Sequence, residues 1–241
     1  MKKELNQMNK YGYIILKTKK MFLLKKVRQE YLRIAKKNGI KNSLEGLNRA
    51  KESQLNKLHI GFNRESKNCN FNLINSFSKE ICKILGKKIF IQRQPYLRAK
   101  KHNLKSTATI PHNDYDFGHS HLGFNLWVPL YDVVNNAGIY IFDLNTSKKI
   151  YSRFRFNCHL REHIKKNKFE KKKRYLNLKF GEAVLFSNLC IHGASMTPGK
   201  FNRVSSNIHL QSFKVPINEK STELFTIAQL NKNSFYKKIA I

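Results

Sequence analysis

The first third of the chain carries its apolar residues at helical spacing. In MFLLKKVRQEYLRIAKKNG, residues 21–39, Leu23, Leu24, Val27, Tyr31, Leu32 and Ile34 follow a 3.6-residue period, and Gly39 ends the run. FNLINSFSKEICKIL, residues 71–85, repeats the pattern and stops at Gly86. Near the start, YGYIILK reads as a short strand after a turn at Gly12. Helices are therefore expected to dominate residues 1–86.

Past Gly86 the period changes. KIFIQRQPYLRAK, TATIPHND, LGFNLWVPLYDV, GIYIFD, YLNLKFGEAVLFSN and RVSSNIHLQSFKV are strand-like runs separated by turn signals. Many short strands with few long helices predict a sandwich or barrel over residues 87–215. Residues 148–174 interrupt the strands with a basic, partly helical insertion, and residues 216–241 form a C-terminal extension. With 241 residues and 41% hydrophobic content, the chain suffices for one buried core, so residues 1–241 are expected to form a single domain.

Charge changes this picture. The chain holds 47 Lys+Arg against 15 Asp+Glu, a formal net charge of +32. A polyanion partner would account for that. Composition drift is the simpler account: lysine outnumbers arginine 36 to 11 and asparagine is frequent, whereas phosphate forks favour arginine. The distribution is uneven. Residues 1–60 hold 16 basic side chains, residues 61–110 hold 11, residues 148–174 hold 12 and residues 175–241 hold eight. Residues 111–147 hold none, with four aspartates. A dedicated nucleic-acid protein puts its charge in the binding element, so nucleic acid is not the expected partner. The apolar runs are too short to span a bilayer, and the basic N-terminus lacks the apolar core and cleavage site of a secretory signal. Cys69, Cys82, Cys158 and Cys190 are widely spaced without a C-x-x-C pair, which suits a reducing cytoplasm.

The stretch without lysine or arginine carries the candidate chemistry. His112-Asn113-Asp114 is an H-x-D triplet, and on an extended strand residues i and i+2 share a side. An imidazole and a carboxylate placed so, completed by a distant histidine, make the 2-His-1-carboxylate face of non-haem Fe(II) sites. His192 follows the strand-like GEAVLFSN. Eleven residues later Arg203 and Ser205 again stand at i and i+2, where they could hold a carboxylate by charge-assisted hydrogen bonds. Three rivals stay open. His119 and His121 form an H-x-H like a cupin ligand pair, but no glutamate follows. Asp116 could replace Asp114. Cys190 could share the face of His192, although packing suits it better.

PHND, LWVPLYD, GEAVLFSNLCIHG and RVSS together resemble the 2-oxoglutarate/Fe(II) dioxygenases, in particular the phytanoyl-CoA dioxygenase-like branch. QRQPYLRAKKHNLKSTATIPHNDYDFGHS with NLWVPLYDV is similar to oxygenases of bacterial carbohydrate-biosynthesis clusters. The resemblance spans about residues 86–215. It implies a mainly β fold with N-terminal helices, a double-stranded β-helix of the cupin-like jelly-roll type, with metal between the sheets. It implies Fe(II) on His112, Asp114 and His192, and 2-oxoglutarate held by Arg203 and Ser205 with Trp127 alongside. Gly181-Glu182 departs from the commoner Gly-Asp. The implied substrate is a small saccharide or sugar derivative, for which the basic insertion would suit an anionic or nucleotide-linked form. Lysines near iron would repel the cation and compete for Asp114, which explains a centre without them apart from Arg203. The rival from another class is a non-enzymatic jelly-roll that binds a polyanion.

Overall fold

The computed structural model describes residues 2–41, 44–66, 68–101, 104, 108–154, 159–194, 202–216, 225–230 and 236–239. Cys158 and part of the basic insertion lie outside them. The chain begins with α1 (Lys2–Tyr11), β1 (Tyr13–Lys17), α2 (Met21–Lys37), α3 (Gly46–Arg49), α4 (Glu52–Glu65), α5 (Cys69–Ser76) and α6 (Ser78–Leu85). The helix expected over 71–85 is two helices. Phe77 has φ −120°, and the Ser76 and Ser78 hydroxyls donate to the Asn72 and Asn75 carbonyls, which competes with a continuous helical ladder. α4 was not legible as a helix, although Leu55, Leu58 and Phe62 supply its buried stripe.

Two antiparallel sheets follow. The larger takes β1, β2 (Lys88–Gln92), β3 (Tyr96–Lys100), β5 (Phe124–Pro129), β8 (Glu182–Ser187), β10 (Arg203–Ser212), β11 (Phe225–Leu230) and β12 (Tyr236–Ile239). Its order is β1-β8-β5-β10-β2-β11-β12, and β3 also pairs with β10. The smaller sheet runs β4 (Thr109–His112), β9 (His192–Ala194), β6 (Tyr140–Ile141), β7 (Arg174–Tyr175). This is the expected jelly-roll with helices added at its N-terminal side. Its larger sheet draws on both ends of the chain, through β1 and through β11 and β12 beyond residue 215.

The period-2 alternation divides the large sheet by face. Ala183 and Leu185 of β8, Leu126 and Val128 of β5, and Leu97 and Ala99 of β3 join the helices in the main core. Val184 and Phe186 face the other way with Trp127, Ile139, Ile141 and Ala194, forming a second core between the sheets. The insertion contributes α7 (Leu144–Arg153), α8 (Leu160–Lys166) and a 3-10 turn at Phe169–Lys172. Ile150, Ile164 and Phe169 pack on Tyr140, Phe142 and Ile191, against the small sheet.

Gly12 fixes where the start of the chain meets the site-bearing loop. Its φ is +76°, and a Cβ there would lie 2.6 Å from Cys190 Sγ and 2.8 Å from Leu144 Cβ. Its carbonyl accepts the Ser187 N–H at 2.8 Å. Gly12→Ala is expected to cost about 2 kcal/mol, a melting-temperature drop of roughly 4–8 °C, through strain and collision together. Thermal denaturation followed by circular dichroism checks this.

Candidate metal and carboxylate site

β4 and β9 bring two histidines face to face. Thr109 pairs with Ala194 and His112 with His192, so β4 uses one more residue than β9 over the same stretch. The extra residue is a bulge beside Pro111, which has no N–H to give a regular ladder. The bulge aims His112 across the ladder at His192, with ring centroids 4.3 Å apart. Gly193 follows because a Cβ there would collide with the Tyr140 hydroxyl.

The strand ends at His112, so Asp114 does not reach the site by the extended i, i+2 geometry expected from the sequence. The chain turns, and Asp114 caps the 3-10 turn Tyr115–Phe117 with φ −73° and ψ −20°. Its N–H donates to the Asn188 carbonyl at 3.0 Å. Its Oδ2 accepts from Asn125 Nδ2 at 3.0 Å. Oδ1 is left 3.8 Å from His112 Nε2 and 3.7 Å from His192 Nε2.

His112, Asp114 and His192 thus offer ligating atoms within 4.8 Å of one another, a grouping that can hold a metal ion. The donor set fits. His112 Nδ1 contacts the Ile110 carbonyl at 2.8 Å and His192 Nδ1 the Cys190 carbonyl at 3.1 Å. Those carbonyls accept the Nδ1 proton, which leaves each Nε2 with its lone pair turned inward. Phe117 stands edge-on to His112 at 5.2 Å, and Phe186 lies 4.7 Å from His192. Burial, then His192, presses the His112 pKa down to about 4. Burial alone would raise the Asp114 carboxyl, but the neighbouring His192 and His209 rings and the Asn125 amide hold it below the ordinary value.

The site opens into a cavity of about 450 Å³ between the sheets. Arg203, 3% exposed, lies in its wall. Its NH1 donates to the Ala137 carbonyl at 3.4 Å, its guanidinium is 5.6 Å from the Trp127 ring centroid, and its buried Nε has no partner among the described residues. Burial, then Arg98, lowers its pKa to about 10, which keeps it charged at neutral pH. A buried, under-satisfied guanidinium is suited to a carboxylate ligand. Trp127 is both cavity wall and core, and its Nε1 also lacks a partner among the described residues. Ser205 is fully buried and donates to the Arg98 carbonyl at 3.5 Å; it is not part of the cavity wall.

The rivals separate clearly. His119 stacks on His209 with centroids 3.6 Å apart and lines the cavity outside the metal cluster. His121 is exposed, edge-on to Tyr115 at 6.3 Å. Asp116 is exposed and accepts from the Tyr151 hydroxyl. Cys190 is buried, its thiol near the Gly12 carbonyl at 3.5 Å.

Other wall residues carry no motif: Arg98, Asn125, Asn207 and His209. The alternation of β10 could have found two of them, since Asn207 and His209 continue the face of Arg203 and Ser205. The centre is also more basic than the sequence implied. Arg98 of β3 shares the wall, and Lys100 pairs with Arg203 across the ladder. No described residue of 148–174 lines the cavity. Among the described residues of 148–174, Tyr151 donates to Asp116, the chain neighbour of the wall residue Phe117.

No protein-family model matches the chain, and no curated sequence matches it. Solved structures do. The fold is similar to EctD from S. alaskensis, solved with 2-oxoglutarate and 5-hydroxyectoine, at 12% identity and a TM-score of 0.62, covering 90% of this chain and 78% of that one. It is similar to SnoK, a non-heme alpha ketoglutarate dependent carbocyclase from nogalamycin biosynthesis, at 9% identity and a TM-score of 0.57, covering 100% and 96%. It is also similar to the ThoJ-Ni complex, a non-heme monooxygenase, at 12% identity and a TM-score of 0.56, covering 89% and 79%. At these identities the likeness establishes the shared fold.

His112→Ala, Asp114→Ala and His192→Ala are each expected to weaken Co(II) binding by roughly 100-fold or more, beyond the loss typical when a group that only orients a ligand is changed. His119→Ala and Asp116→Asn should bind normally in equilibrium dialysis. The metal-free protein should lose stability as pH falls. His59, whose Nε2 accepts the Ala99 N–H at 3.1 Å, has its pKa lowered to about 4 by burial and then Arg98, and burial chiefly lowers that of His209 to about 3. The unfolded chain therefore binds more protons than the folded one from about pH 6.5 down to these values, and stability drops through that window. His59→Gln should flatten the slope in urea unfolding measured between pH 7 and 4.

Proposed function

We propose that the protein is a non-haem Fe(II)- and 2-oxoglutarate-dependent oxygenase acting on a small metabolite. The observation that carries this is the sharing of one cavity by the His112, Asp114 and His192 donors and the buried Nε of Arg203, which has no partner among the described residues. His112, Asp114 and His192 would hold the iron on one face, leaving other positions for co-substrate and oxygen. Arg203 would take the distal carboxylate of 2-oxoglutarate, with Trp127 beside it. Bound iron and co-substrate supply the oxidising power for a C–H bond, and the chain supplies placement. The Ile110 and Cys190 carbonyls hold the imidazole orientation, Asn125 orients Asp114, and Phe117 and Phe186 restrict water around the rings. The bound 2-oxoglutarate named for EctD supports the co-substrate assignment.

The finer reading rests on the motif resemblance: a member of the phytanoyl-CoA dioxygenase-like branch, cytoplasmic, oxidising a saccharide or sugar derivative in surface-carbohydrate biosynthesis. Ser205 would act behind Arg203 through the backbone of β3 rather than by touching the co-substrate. The net charge of +32 favours the rival, a non-enzymatic polyanion-binding jelly-roll.

Incubation with Fe(II), ascorbate and 2-oxoglutarate decides between them. The oxygenase reading expects iron-dependent succinate formation above a metal-free blank. Arg203→Ala should raise the 2-oxoglutarate requirement by on the order of 30-fold, reflecting about 2 kcal/mol or more for a stripped buried charge pair, with metal affinity little changed. No succinate would count for the rival; wild-type co-substrate dependence in Arg203→Ala would instead remove Arg203 from the 2-oxoglutarate site.

A further inference from the structure

We propose that Arg98 anchors the substrate by binding an oxyanion, a carboxylate or a phosphate, carried by a compact hydroxylated molecule. The proposal rests on the oxygenase reading and names a substrate class for it. Arg98 lies on β3 opposite Ser205, two residues from the Lys100–Arg203 pair. Leu97 and Ala99 turn into the helical core, so the alternation leaves Arg98 on the cavity side, and it lines the cavity with the metal donors.

Arg98 and Arg203 differ in exposure. Arg203 is buried at the Trp127 end, whereas Arg98 is exposed where the cavity meets solvent. An inner guanidinium suits the co-substrate, and an outer one suits the molecule that arrives after it. Among the described residues Arg98 has no ion pair; its recorded aromatic neighbour is Tyr96, at 5.9 Å from the ring centroid.

Charge accounting points the same way. The cavity wall holds two arginines against one carboxylate, Asp114. A divalent metal and dianionic 2-oxoglutarate cancel one another, so one positive charge remains in excess. A neutral substrate would leave that excess facing a partly desolvated site, and a monoanionic group balances it.

The remaining wall suits hydroxyls. Asn207 Oδ1, His119 Nδ1 and His209 Nδ1 are buried without partners among the described residues. A volume of about 450 Å³ falls in the range for small-molecule sites, so beside 2-oxoglutarate it admits a compact ligand. The basic insertion is the weaker candidate for this anion. Arg161, Lys165 and Lys173 border a different depression that contains none of His112, Asp114 and His192, and Lys173 is already paired with Glu170.

The test uses the full-length protein, anaerobic, loaded with Fe(II) and 2-oxoglutarate. The visible charge-transfer band of that complex reports events at the metal and ignores anions on the outer surface. Inorganic phosphate and acetate are titrated at constant ionic strength as the smallest probes of the two oxyanion types, with glycerol as the neutral control. The wild type should give a saturable band change with at least one anion, and the stronger probe distinguishes phosphate from carboxylate. Arg98→Gln should need at least tenfold more of that anion, with an unchanged 2-oxoglutarate titration, and Arg98→Lys should fall between them. Wild-type anion response in Arg98→Gln overturns the proposal, as does a tenfold loss of 2-oxoglutarate affinity in that variant, which would put Arg98 in the co-substrate site. Absence of any anion response in a wild type that forms the band also overturns it. Failure of the wild type to form the band at all overturns the oxygenase reading instead, and this proposal with it.

Discussion

The pairing of a bulged β4 with β9 is the constraint on which the site depends. It sets His112 opposite His192, and a regular ladder through Pro111 could not do so. Everything else holds that encounter in place. The loop before His192 is braced by Gly12 from the opening of the chain and by the Ile191 N–H donated to Ser147 at 2.9 Å. Asp114 is tied to the same loop through the Asn188 carbonyl, and to the large sheet through Asn125. One short loop, residues 188–191, thus positions the acid and one histidine together.

The large sheet has two faces with different duties. One buries aliphatic side chains against α2, α4, α5 and α6, and contributes stability. The other presents Asn125 and Trp127 of β5 and Arg203, Asn207 and His209 of β10 to the cavity, with Ser205 buried on the same face behind its wall. Because β10 pairs β5 on one side and β3 on the other, the Arg203 and Arg98 positions are fixed by the same ladder. Most of the lysines lie outside this arrangement. Among the described residues Lys100 and Arg203 are the only buried lysine and arginine, and they pair at the inner end of that ladder.

Much of this was readable from the residues. Period changes located the helical first third and the strands, because each large-sheet strand has one face in an aliphatic core. His112, Asp114, His192 and Arg203 stood out because their spacing carries chemistry. Asp114 lies beside His112 and His192 by a turn rather than by the expected i, i+2 geometry, because an H-x-D triplet does not reveal that the strand ends between its members. Arg98, Asn207 and His209 were hidden because they belong to no motif; their roles come from registry between strands distant in sequence. Phe77 broke a helix whose periodicity was continuous, because serine hydroxyls competing for carbonyls leave no trace in a hydrophobic pattern. The N-terminal strand and the strands past residue 215 show that a sheet recruits edges regardless of where the motif-bearing segment stops.

The most direct test of the central claim is anomalous diffraction at the iron edge. The crystal would be grown anaerobically with Fe(II) and 2-oxoglutarate. The account predicts one iron peak among His112 Nε2, Asp114 Oδ1 and His192 Nε2, with the distal carboxylate of 2-oxoglutarate on the Arg203 guanidinium. Iron bound elsewhere, or 2-oxoglutarate ordered away from Arg203, would contradict it.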